Sequence, residues 1–202
     1  MNYGKGWYFE SWRHSLAAKG IRTSLHSKLN GSLVGKTRHG IPITVKAPSK
    51  TLKKGRAYPI APDEVKQRFD KFKKKEVEGI TEINFRDPGI PATKQDKAWA
   101  QYARGDRRVN VFSQPFKKGK FKEVELELED PWKAKEHMAG YVLPHETGHH
   151  YYQYNLKMDK DDVLTEEARA DAFAAGEDPK KPWVLAKYRQ NRKQMFGRKG
   201  SI

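Results

Sequence analysis

The chain has no cysteine among its 202 residues. That excludes disulfides and every metal site built on thiolates, and it fits a reducing compartment. No apolar run approaches the ~20 residues needed to span a bilayer, and the polar, glycine-rich start lacks the apolar segment of a secretory signal. These absences point away from a membrane partner and towards the cytoplasm or a particle assembled inside a cell. Acidic residues are scarce as well, but unevenly so. Residues 1–60 hold a single acid, Glu10, against 12 Lys and Arg, and residues 179–202 hold none against 8. From a formal net charge of +16, ends of +11 and +8 leave the middle at −3. Basic ends around a mildly acidic centre suit a chain whose ends meet nucleic acid or another polyanion while its centre folds for another purpose.

A chain of this length supports one compact domain with extensions rather than two full-sized domains. Charge and composition divide it into a basic, Gly/Ser-rich arm over 1–55, a body over 56–178 and a basic helix or tail over 179–202. In the arm, Tyr3, Trp7, Tyr8, Phe9 and Trp12 are interleaved with cations. Aromatics can stack on bases while cations meet phosphates; the same side chains can equally anchor the arm on the body. The residues placed against a polyanion are Trp7, Arg13, Lys19, Arg22, Lys53 and Lys54 in the arm, with Arg189, Arg192 and Lys193 in the tail.

Within the body, helix and strand periods alternate, which defines an α+β fold. Residues 62–76 have acids first, lysines last and Val65, Phe69 and Phe72 on one face, the pattern of an amphipathic helix. Strands are predicted over 41–45, 77–85, 107–112 and 124–129, the last with an acidic wet face. Residues 91–106 read as a loop or short helix and 116–121 as a basic linker. Helices are predicted over 131–143 and 183–196, with Trp132 and Met138 as core residues and Trp183, Leu185 and Tyr188 docking on the body.

The chemistry concentrates between Tyr141 and Ala174. His145-Glu146-Thr147-Gly148-His149-His150 places two imidazoles four residues apart, hence on one helix face, with Glu146 beside them. An open zinc site takes three protein ligands and leaves a fourth position for water. Eighteen residues on, Glu167 offers a carboxylate, and Asp171, one turn later, can accept a hydrogen bond from the non-ligating nitrogen of a histidine. Glu166 is the rival ligand; only Glu167 keeps the four-residue spacing to Asp171. Thr165 is a candidate cap for this second helix, and its alanines permit close approach to the first. His150, Tyr151, Tyr152 and Tyr154 are candidate donors to a developing oxyanion. His14, His26, His39 and His137 have no partner at ligand spacing.

The combination H-E-x-G-H-H followed by E-x-R-A-D-x-F-A resembles the small zincin metallopeptidases of the ImmA/IrrE-like kind, and more broadly the gluzincins, which include thermolysin. The resemblance is close over some 35 residues. It implies a zincin-like fold with a helix and twisted sheet ahead of the active helix. It further implies Zn²⁺ held by His145, His149 and Glu167, Glu146 as general base, Asp171 orienting a histidine, and a peptide or protein substrate. It also implies an edge strand beside the cleft, for which 109–112 is the candidate. Such a helix commonly starts well upstream, so Pro144 makes it either begin there or bend there.

Overall fold

A computed structural model of the chain describes residues 31–46, 56–87, 98–117, 120–121, 131–158 and 162–199. The strand predicted over 124–129 and most of the arm lie outside these residues. The elements are strands β1 (Ser32–Lys36), β2 (Pro42–Val45) and β3 (Arg56–Ala57), helices α1 (Pro62–Phe69) and α2 (Lys74–Val77), and strands β4 (Glu82–Arg86), β5 (Ala100–Ala103), β6 (Arg108–Phe112), β7 (Gln114–Lys117) and β8 (Lys120–Phe121). Four further helices follow: α3 (Pro131–His137), α4 (Leu143–His150), α5 (Val163–Ala174) and α6 (Pro182–Lys199). Helix and mixed sheet together make the fold α+β.

Five strands form one sheet in the order β1-β2-β4-β6-β5, and β3-β7-β8 form a smaller one. The central pairs β2–β4 and β4–β6 are parallel, while β1 and β5 run antiparallel at the two edges. Alternation along each strand separates two faces. Ile43, Ile83 and Val109 are in register, as are Val45, Phe85 and Val111, and these rows are buried against Val65, Phe69, Met138 and Leu143. The opposite face carries the row Thr44, Asn84, Asn110 and the neighbouring pair Glu82 and Arg108. There the buried Glu82 carboxylate accepts from Thr44 Oγ1 and from Arg108 Nε at 2.8 Å, so it is both paired and hydrogen-bonded.

Several boundaries differ from the sequence reading for identifiable reasons. The first two strands belong to the sheet, so residues 32–45 join the body rather than the basic arm; their buried side chains Ile41, Ile43 and Val45 outweigh a charge average. The helix expected over 62–76 ends at Phe69, because Phe69 and Phe72 both turn into the core and draw the chain into a tight turn before α2. Gly79, at φ +94, then redirects it into β4. The strand over 108–112 is central, and the edge is β5, from the stretch read as loop. Residues 116–117 and 120–121, in the stretch read as a linker, pair as β7 and β8. Trp132 and Trp183 are exposed, at 59% and 64%, while Met138 and Val184 take the buried positions.

Candidate metal centre

The helix carrying the histidines is longer than its motif. Backbone angles stay right-handed helical from α3 through α4, but two turns widen to π geometry, Met138–Val142 before α4 and Tyr151–Asn155 after it. Proline has no N–H and its ring crowds the carbonyl four residues back. The wide turn, closed by Leu143 N–H donating to the Met138 carbonyl, lets the helix pass Pro144 without breaking. Pro144 therefore neither starts nor ends the helix.

Helix α5 is held by Asp162, whose carboxylate accepts from the Thr165 N–H at 2.9 Å and also from the Thr165 hydroxyl. Asp162 is thus the cap, and Thr165, expected there, sits three residues inside. The two helices touch through small residues: Ala168, Ala170 and Ala172 are fully buried, and a Cβ on Gly148 would stand 3.0 Å from Ala170 Cα. That approach brings Glu167 to the histidines.

His145 Nε2 and His149 Nε2 are 3.1 Å apart. Glu167 Oε2 is 3.4 Å from the first and Oε1 3.4 Å from the second. Zinc bonds to nitrogen and oxygen of about 2.0–2.1 Å, arranged tetrahedrally, place ligand atoms about 3.3 Å from one another. Two imidazoles and one carboxylate at these separations could hold a metal ion, and among the described residues this is the group of His and acidic side chains that could do so. Glu166, the rival, faces Arg104 instead, at 3.6 Å.

Around the three lie groups that fix them. His145 Nδ1 is 2.9 Å from Asp171 Oδ1. Tyr141 donates its hydroxyl to the same oxygen at 2.6 Å. Arg192 reaches in from α6 with both arms of its guanidinium on the Asp171 carboxylate, at 2.5 and 2.6 Å, and stands 3.2 Å from Glu167. Burial favours neutral carboxylates, yet His145, Arg192 and Tyr141 hold Asp171 well below its usual range. Glu167 is pulled down likewise by the two histidines. Burial opposes a charge on His145, but Asp171 and Glu167 outweigh it and lift its pKa to about 9. Glu146 projects to the sheet: its Oε2 accepts the Tyr102 N–H from β5 at 2.6 Å.

The structure also sorts the remaining predicted residues. Trp7, Arg13, Lys19, Arg22, Lys53 and Lys54 lie outside the described residues. Lys193 is exposed, and Arg189 lies 3.5 Å from Asp162. Arg192, expected on a polyanion-facing surface, is instead turned inward, because two carboxylates stand within its reach. None of the proposed oxyanion donors has its described contacts at the centre. His150 is buried between the Tyr102 hydroxyl and the Glu78 carbonyl, Tyr154 accepts from Arg107, and Tyr151 and Tyr152 pack on Phe173. Tyr141 was the missed hydroxyl. Its signal was the four-residue ladder His137, Tyr141, His145, His149, whose successive rings are 5.6, 5.7 and 4.8 Å apart.

No family model, curated protein or solved structure matches this chain. What the site can do is therefore argued from its own geometry. Among the described residues no helix is long and apolar enough to cross a membrane.

Proposed function

We propose that the chain is a zinc-dependent peptidase of zincin type. The observation that carries this reading is the convergence of His145, His149 and Glu167 at separations suited to tetrahedral coordination, with Glu146 next to His145 in the chain. Two imidazoles and a carboxylate, with no thiolate, are the donor set of hydrolytic zinc sites. His145, His149 and Glu167 would hold the ion, which when bound would acidify a water to a pKa of about 7 and polarise a carbonyl. Glu146 would serve as general base and then as acid towards the leaving amine.

The substrate fits beside β5. Because Trp99 accepts from Phe112 at the β6 side, alternation turns the N–H and C=O of Ala100 and Tyr102 away from β6, to an edge that no described strand pairs. A peptide added there as a further strand would run past Glu146, which the Tyr102 N–H already marks as adjoining that edge.

Metal analysis of the purified chain tests the reading directly. We expect one zinc per chain, lost in Glu167→Ala and kept in Glu146→Gln, while Glu146→Gln abolishes cleavage of labelled casein. Equal zinc in the Glu167→Ala protein would remove the site. The surplus of 41 Lys and Arg over 25 Asp and Glu favours a second reading, a nucleic-acid-binding or particle component on the same scaffold without proteolysis. Salt-sensitive nucleic-acid binding together with intact metal but no cleavage would select it.

A further inference from the structure

The mildly acidic middle of the chain conceals a strongly cationic surface. Lys71 and Lys73 between α1 and α2, and Lys74 and Lys75 in the first turn of α2, are all exposed. The end of β1 and the turn after it add exposed Lys36 and Arg38 from more than thirty residues away. The two segments are fastened together. The Arg38 N–H donates to Asp70 at 2.6 Å, and its guanidinium and the His39 ring both contact the Phe72 carbonyl at 2.9 Å.

A lysine run is ordinarily a solvated face, with its charges diluted by neighbouring acids. Here six cations stand against three acids, Asp70, Glu76 and the exposed Glu78, and the first two already hold other groups. Asp70 holds Lys66 and the Arg38 backbone, and Glu76 accepts the Lys73 N–H at 2.8 Å. No ion pair is found among the described residues for Lys36, Arg38, Lys71, Lys73, Lys74 or Lys75. The backbone beneath is fixed as well: Asn155 donates to the Lys75 carbonyl at 2.7 Å and His150 bonds the Glu78 carbonyl, so α2 rides on the helix that carries the metal ligands.

We infer that this surface, made of the 36–39 turn and residues 71–75, is a nucleic-acid-binding site that grips the phosphate backbone. Lysines act on phosphates as point charges without reading bases, so the binding is insensitive to sequence. Of the large exposed apolar side chains among the described residues only Tyr154, on Gly79, adjoins this surface, and a single tyrosine disfavours insertion into a lipid surface. The site uses none of the metal ligands and none of the terminal residues assigned to a polyanion. It therefore stands or falls separately from the peptidase reading.

The test is fluorescence anisotropy of the full chain against a short labelled DNA duplex and the equivalent RNA, titrated across about 50 to 200 mM salt. Replacing Lys71, Lys73, Lys74 and Lys75 together by Gln should weaken binding at least ~10-fold and flatten the log–log salt slope by about 3 to 4 units. Lys36→Gln with Arg38→Gln should flatten it by about 2. Because Lys71, Lys73, Lys74 and Lys75 are exposed, metal content and melting temperature of the four-lysine variant should stay at wild-type values. An unchanged slope in both variants would overturn the assignment. So would absence of binding by the wild-type chain, or preference for phosphatidylserine vesicles over both nucleic acids.

Discussion

At the scale of single residues, the site is a matter of which neighbours a side chain can reach. Gly148 shows how tight the tolerance is. With Ala170 Cα and Phe173 Cβ both 3.0 Å from where its Cβ would stand, Gly148→Ala must push α5 outward. Overpacking of this kind costs about 1–3 kcal/mol. The melting temperature should then fall by roughly 2–4 °C per kcal/mol, read by circular dichroism, and zinc affinity should fall with it because Glu167 moves too. The grouping of His145, His149 and Glu167 was legible in the sequence because four-residue spacing puts the two imidazoles on one face and only Glu167 keeps that spacing to Asp171. Arg192 was not. Its position depends on where α6 docks, and no local pattern records that a cation near the chain's end will find Asp171.

At the scale of elements, caps and turns decide the boundaries. Asp162 satisfies two groups of Thr165 in the first turn of α5, so Asp162→Ala should lower the stability of that helix. Because α5 carries Glu167 and Asp171, thermal melts of the metal-free protein should register that loss, and a melt indistinguishable from wild type would refute the cap's importance. Strands buried on their inner face, such as β2, β4 and β6, were readable from alternating Ile, Val and Phe. The edge strand β5 was not, since Ala100-Gln101-Tyr102-Ala103 carries little β-branched or apolar signal and is specified mainly by its pairing with β6. The turn after Phe69 escaped the periodicity for the opposite reason: Phe72 fits a helical stripe equally well, and only packing shows that the chain has left the helix.

At the scale of the whole molecule, the metal centre joins α4 and α5, with α6 closing over it through Arg192, so ion binding is expected to stabilise the fold as a unit. Zinc at about 100 times its dissociation constant should add about 2.7 kcal/mol. For a domain of this size that corresponds to a rise of roughly 5–11 °C in melting temperature. Differential scanning fluorimetry with and without chelator reads it directly, and a shift that persists in Glu167→Ala would place the ion elsewhere. The two wide turns bracketing α4 carry a last implication. Each amounts to one residue beyond regular winding, so the stretches before and after α4 keep an angular phase that an unbroken helix would not give them. Deleting Gly140 would take out that surplus residue and leave 131–139 in the same phase relative to the histidines, so Ala134 and Met138 would stay enclosed. The ordinary pitch would instead set the Pro144 ring against the carbonyl four residues back, at a cost of about 3 kcal/mol. A chain shortened there should melt at a lower temperature, although every candidate ligand remains in its sequence.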